Sequence, residues 1–378
     1  RSAATTDLVQ QRKQQQRVKI NDGSTTAATT TAKDASSFLD GILSGFWGPR
    51  IVLGAIACFY ATNFPLGTIM ADAMPSPAAV TSARMVLAAM VMSPFIRNLD
   101  PSLRLPAIFT GCCTAIGYIT QSMALVDTNP ATVSFLGSAT VLVCPFLSWA
   151  IDKKPMSWKD APQTWMAAIL CLMGVACLEL IGAGGESSGS LFHGGAGDGL
   201  ALLQAVGFGT QVYLSERMVA DKPDQALPVT ATLIATAAFL SGIWCVADGW
   251  MWTMPAIEWQ SYALPGLFFA APDTPLHMAA MAILWTGFIS TALSFFVEMN
   301  ALSRVPSSQA AVILATEPMW AALFAAGLLG ETFGTKDVVG GVLMVGACIV
   351  SGMKAQDVHK LFSQDHDGMM GEAEQELK

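Results

Sequence analysis

The chain has 378 residues, of which 53% are hydrophobic and only 13% charged, with mean hydropathy +0.49 and net charge −8. Soluble domains carry about 25% charged residues, so this composition excludes a large soluble core and requires an integral membrane protein. The 8 cysteines form no CxxC and no Cys/His cluster, and no P-loop, GxSxG or HExxH occurs, so no metal, cofactor, enzymatic activity or nucleic-acid partner is expected.

Residues 1–47 form the first segment, Ser/Thr/Ala/Gln-rich with Arg12, Lys13, Arg17 and Lys19, and are expected to be disordered. This composition is compatible with the remnant of an organellar transit peptide, and equally with an ordinary disordered tail. The first reading places the chain in a plastid-type envelope, the second in a plasma or internal membrane.

Apolar stretches predict ten helical spans, near 51–71, 76–96, 105–125, 129–151, 162–182, 199–219, 226–246, 276–301, 306–329 and 335–354. They fall into a first half over 48–183 and a second over 199–355, joined by a Gly/Ser-rich linker at 184–198. The long loop at 247–275 carries Trp250, Trp252 and Trp259, which suit an interfacial aromatic belt. Residues 356–378 read as a solvated acidic tail.

Loops after the even spans carry Arg97 and Arg104, then Lys153, Lys154 and Lys159, then Arg217 and Lys222, then Arg304. Loops after the odd spans carry only Lys336. The positive-inside rule therefore puts the even loops and both termini on the cytoplasm-equivalent side.

The two halves echo each other. Thr110-Gly111, Ala124-Leu125, Asn129-Pro130 and Lys159-Asp160 answer to Thr286-Gly287, Ala301-Leu302, Val305-Pro306 and Lys336-Asp337. Five spans per repeat is an odd number, so the repeats must be inverted in the membrane. This architecture places a binding region between halves near mid-membrane. The first span of each half also looks weakened, by Asn63, Pro65 and Gly67 in one and by Gly207, Gly209, Gln211 and Tyr213 in the other. Broken helices at matching places point to a binding region, although Gly and Pro are common in any membrane helix.

The ninth span is apolar from Val312 to Leu329 except for Thr316, Glu317 and Pro318. A carboxylate near mid-depth costs at least about 2.5 kcal/mol and needs a cavity or a partner. Read as one helix, the span puts Ala311, Ala315, Ala322 and Ala326 on a packing stripe and Glu317 nearly opposite, with Trp320 beside it. Pro318 is expected to weaken the helix next to the acid. Arg84 lies about 12 Å into the second span and faces inward, either to clamp an anion or as a structural partner of Glu317. Asn63, Gln121, Gln211 and Tyr213 can line a cavity or bond neighbouring helices. Glu179, Glu216, Glu298 and Glu331 are assigned to span ends or turns.

The stretches ATNFPLGTIM, TSARMVLAAM, GDGLALLQAVGFG, PSSQAAVILATEPMWAALFAAGLLGETFG and VVGGVLMVGACIVSG, spread over about residues 50–354, carry a resemblance to the EamA-type members of the drug/metabolite transporter superfamily. It implies an all-α bundle of ten helices in two inverted five-helix repeats that alternates access to a central cavity. The implied function is secondary transport of a small organic metabolite, by exchange or coupled to protons, in a lipid bilayer. A second copy of the chain is allowed as a partner. A passive channel, or less readily a scaffold, fits the same helices. Glu317 departs from internal symmetry, because the repeat alignment places Thr140 at the matching position.

Overall fold

The computed structural model describes residues 41–73, 76–128, 130–179, 195–248, 275–329 and 334–358. The segment 1–40, the linker as far as residue 194, the loop tryptophans, Glu331 and the tail beyond 358 lie outside these described residues. Residues 41–49 belong to a unit of their own, with Ser44 hydrogen-bonded to Gly41 and Gly45 at positive φ.

All regular structure among the described residues is helical. The first half contains α1 (Gly48–Ala61), α2 (Asn63–Ala73), α3 (Pro77–Met92), α4 (Arg104–Asp127), α5 (Pro130–Gly137), α6 (Thr140–Ala150) and α7 (Pro162–Glu179). The second contains α8 (Ala196–Asp221), α9 (Ala226–Ala247), α10 (Pro275–Leu284), a π-helical segment (Trp285–Leu293), α11 (Ser294–Leu302), α12 (Ser307–Leu314), α13 (Glu317–Leu329) and α14 (Thr335–Ser351). Among the described residues, six stretches are long and apolar enough to cross a bilayer, against the ten expected: Gly48–Gly67, Pro77–Asn98, Pro101–Val126, Thr132–Ala150, Pro223–Ala247 and His277–Leu302. The helix over Pro162–Leu178 is apolar but shorter. Helix α8 is long but diluted by Asp198, Gln204, Gln211, Glu216 and Arg217.

The helix interruptions differ from the sequence expectation. The first span does break, but at Thr62, so Pro65 and Gly67 lie inside α2 after the break. Helix α8 runs unbroken through Gly207 and Gly209. Those glycines serve packing instead: a Cβ on Gly207 would stand 2.9 Å from the Cys113 carbonyl and from the Gly117 amide. At Gly207 the absence of a side chain lets α4 and α8 cross backbone to backbone, the close approach that small residues give membrane helices, while Gly209 makes room for the Val143 side chain of α6.

The matched breaks lie elsewhere, at Ser138–Ala139 between α5 and α6 and at Ala315–Thr316 between α12 and α13. Each is tightened by an i→i−3 bond, Ala139 N–H to Leu136 O at 3.1 Å and Thr316 N–H to Ile313 O at 3.1 Å. Thr140 and Glu317 then open the second pieces. Pro318 takes the second position of α13, where a proline costs no intrahelical hydrogen bond. It starts a helix and does not weaken one. The break also interrupts the alanine stripe read from continuous periodicity.

Equivalent glycines make equivalent contacts in the two halves. A Cβ on Gly111 of α4 would lie 2.8 Å from the Leu233 carbonyl of α9, and one on Gly287 would lie 3.0 Å from the Arg84 carbonyl of α3. Gly174 of α7 and Gly340 of α14 pack on each other's carbonyl in the same way.

Candidate functional site

Six polar side chains from six helical elements converge inside the bundle: Tyr60, Arg84, Tyr118, Gln211, Glu298 and Glu317. Tyr60 of α1 donates its hydroxyl to Glu298 Oε2 at 2.6 Å. Gln211 of α8 reaches the other oxygen, Oε1, at 3.5 Å and also Ser215 Oγ at 3.3 Å. Glu298 is only 3% exposed, although its place near the end of α11 reads as interfacial in the sequence. The expected interface position is therefore corrected to the interior.

Tyr118 of α4 is the hub. The Arg84 guanidinium carbon lies 4.5 Å from the centre of its ring, a cation–π contact. Phe208 meets the same ring edge-on at 4.9 Å, and Phe295 lies 6.4 Å away and tilted. The charges of Arg84, Glu298 and Glu317 all act on Tyr118, and those of Glu298 and Glu317 act on Tyr60. Tyr60 and Tyr118 were missed in the sequence because tyrosine in an apolar run gives no signal of its partner.

Arg84 and Glu317 sense each other's charge without forming an ion pair. The expected alternative of a structural pair is not realised as a direct contact. Arg84 Nε is buried with no hydrogen-bond partner, and so is Nε1 of Trp320, one helical turn beyond Glu317. Buried donors are nearly always satisfied, so two of them beside a carboxylate call for an acceptor. Gln121, one turn beyond Tyr118 on α4, is half-buried.

Two expected residues are drawn elsewhere. Asn63 starts α2 and accepts from Ser290 Oγ at 2.8 Å, while Trp285 Nε1 donates to Thr62 at 3.0 Å. Both partners belong to the π-helical segment, which packs at the α1–α2 break. Wide π turns are common at functional sites. Tyr213 is buried, but its hydroxyl accepts from Arg217 at 3.1 Å. Arg217 also pairs with Asp152 at 3.2 Å, so Tyr213 belongs to a contact between the α6–α7 loop and the end of α8. Arg50 Nη2 to Gln309 at 2.7 Å and Lys222 to Asp100 at 2.5 Å likewise join the halves.

The EamA-like transporter family matches residues 49–180 and again residues 195–353. The chain belongs to that family. It is a multi-pass membrane transporter with two EamA domains, and not an enzyme. An uncharacterized transporter of Archaeoglobus fulgidus is 24% identical over 308 residues, covering 80% of this chain and 85% of that protein. The uncharacterized transporter YwfM of Bacillus subtilis is 23% identical over 315 residues, covering 82% and 91%. A solved crystal structure shares the fold with TM-score 0.61 at 17% identity, over 82% of this chain and 98% of that one.

Between the two EamA domains the charges are unevenly distributed. The matched contacts of Gly287 and Gly111 put Leu233 where the other domain has Arg84, and the matched breaks put Thr140 where the other has Glu317. Arg84 and Glu317 therefore lie on one side of the internal symmetry, with Leu233 and Thr140 as their mates.

Proposed function

We propose that this EamA-family transporter is a secondary carrier of a small organic metabolite, working by alternating access between its two domains. The chain crosses the membrane ten times, in two inverted five-helix repeats, with both termini on the inner side. Repeat parity, loop charge and the reciprocal glycine contacts support that topology.

The observation that carries the reading is the group of unfilled polar functions around Glu317: the buried Arg84 Nε and Trp320 Nε1 donors and a carboxylate not paired with either. A solute bringing an acceptor to Arg84 and a donor to Glu317 would fill them. Because Arg84 and Glu317 come from different domains, a solute held by both biases how the domains sit, and only a differential interaction of that kind shifts a conformational equilibrium. Glu317 is either the solute-binding acid or a group that exchanges protons during the cycle.

The test is counterflow. Purified protein in proteoliposomes is loaded with one metabolite at a time, and exchange of the labelled compound is followed. At least one metabolite is expected to exchange, and Glu317→Gln or Arg84→Leu to reduce that exchange at least tenfold with the fold retained by chromatography. Exchange unaffected by either substitution removes this cluster from the transport path. Flux without counterflow indicates a passive channel.

A further inference from the structure

We propose that Glu298 binds the proton that switches this transporter, and that Tyr60 links its charge state to contact between the domains. The inference rests on the carrier reading but concerns a different carboxylate from Glu317. Glu298 is among the most enclosed acids of the described residues, and no cation is bonded to it. Its bonded partners are two neutral donors, Tyr60 Oη at 2.6 Å on Oε2 and Gln211 Nε2 at 3.5 Å on Oε1. Burying a carboxylate without a counter-charge is expensive unless several donors hold it. Here one is strong and one is long. Such a group is held charged only while both donors stay in place.

Those donors come from opposite domains. Tyr60 lies on α1, and Gln211 and Glu298 lie on α8 and α11. While charged, Glu298 needs Tyr60 and so favours the arrangement that keeps α1 against α11. A proton taken from water on one face attaches to Oε1, the oxygen with the longer contact, and no other bond is made or broken. The neutral acid no longer needs both donors, α1 can part from α11, and the proton leaves to the other face. The break at Thr62 and the π-helical segment beside it give this region two places where helix geometry can change.

Several ionisable groups surround Glu298, and none of them is a cation bonded to it. Tyr60 faces it from α1 and Tyr118 from α4, with Arg84 of α3 stacked on Tyr118 and Glu317 of α13 beyond. The π-helical segment has no ionisable side chain, and α9 has only Cys245, near its end. On α8, Glu216 accepts from the Ser307 amide and Arg217 pairs with Asp152. Counted from the equivalence of Ala301 and Ala124, the internal mate of Glu298 is Gln121, a neutral amide, so the first domain holds no matching acid there.

Infrared spectroscopy of the full chain in lipid vesicles tests this without a known solute. In a Glu317→Gln background, subtracting the spectrum of the Glu298→Gln/Glu317→Gln double variant is expected to leave one protonated-carboxyl C=O band that titrates with pH. Tyr60→Phe should displace the midpoint of that band by about one pH unit, the equivalent of one hydrogen bond to a charged group. A subtraction that leaves no titrating band overturns the proposal. If Glu298→Gln does not fold, an unmoved midpoint in Tyr60→Phe overturns it alone. Neither result depends on counterflow, so failure here is distinct from failure of the carrier reading. With an exchanged metabolite in hand, Glu298→Gln should keep exchange and lose accumulation driven by a pH gradient.

Discussion

Lys222 Nζ stands 2.5 Å from Asp100 Oδ2 and 2.9 Å from Ser102 Oγ, tying the end of α8 to the loop after α3. The same loop gains a second tie where the Asp100 amide donates to Gln225 Oε1 at 2.9 Å. With the Asp152–Arg217 pair and the Arg50–Gln309 bond, these contacts join the two domains through charged and amide side chains outside the apolar helix faces.

The first prediction follows from Asp100, which lies outside the membrane-crossing helices. The hydrogen bond from Lys222, then the Ser102 donors, hold its carboxyl down at about 2, against an ordinary value of about 3.9. An acid depressed by folding contributes stability that is complete above its unfolded value and fades as pH falls through its folded one. The contribution is therefore present above about pH 4 and lost toward about pH 2. Asp100→Asn is expected to lower Tm slightly at neutral pH, since the pair is partly exposed and screened by salt. The gap to wild type should close on acidification below about pH 4. An equal gap at neutral and acid pH would show that the pair does not carry the effect.

A second prediction concerns the α4–α8 crossing. A Cβ at Gly207 meets backbone atoms of Cys113 and Gly117, which cannot swing aside as a side chain would. Gly207→Ala should cost about 1–3 kcal/mol through forced separation of the helices. Gly54→Ala, where nothing lies within 4 Å, is the control and should be neutral or slightly stabilising. Thermal unfolding followed by size-exclusion chromatography separates them. Equal behaviour of the two variants would mean that the crossing is looser than these distances imply.

Much of this fold was legible in the sequence, and the parts that were not share a cause. Six of the stretches read as spans from hydropathy coincide with helices long and apolar enough to cross a bilayer, and Thr110-Gly111 and Thr286-Gly287 make equivalent contacts in the two halves. Helix breaks were misplaced because Gly and Pro were read as conformational signals. In α8, Gly207 instead admits a neighbouring backbone and Gly209 the Val143 side chain, and Pro318 sits where a helix begins. The real breaks at Ser138–Ala139 and Ala315–Thr316 carry small residues that bond locally, Ser138 Oγ to Phe135 O and Thr316 Oγ1 to Ile313 O. The site was half legible. Arg84, Gln211 and Glu317 stood out as polar residues at depth, whereas Glu298 was discounted by its distance along the chain from a helix end. Linear distance fails there because α11 is covered by its neighbours: Tyr60 and Gln211 enclose the acid however close to the terminus it falls.

The third prediction tests sidedness. In a background lacking the 8 native cysteines, single cysteines at Lys154 and Lys222 should react with an impermeant maleimide from the same face. One at Gly334, whose Cβ position has room, should react only from the other face. Matching reactivity of Lys222 and Gly334 positions would remove the ten-span arrangement, because an odd number of crossings, α9 to α13 in that reading, must separate them.

The last prediction separates the two roles open to Arg84. Its guanidinium contacts the Tyr118 face and makes no ion pair with Glu317, so its removal leaves no carboxylate stripped of a bonded cation. The stability cost of Arg84→Leu should therefore resemble a lost cation–π contact, about 0.5–2 kcal/mol, and not the 3–5 kcal/mol expected when a buried pair loses one member. Tyr118→Phe retains the ring and should leave stability within about 0.5 kcal/mol of wild type, whereas Tyr118→Leu should cost as much as Arg84→Leu and add nothing to it in the double variant. A coupling between Arg84 and Glu317 larger than that between Arg84 and Tyr118, in double-mutant cycles of thermal stability, would show that the two charges meet directly. Weak coupling in the absence of solute, rising when an exchanged metabolite is added, is the expected pattern, because the solute would then connect the arginine of one domain to the acid of the other.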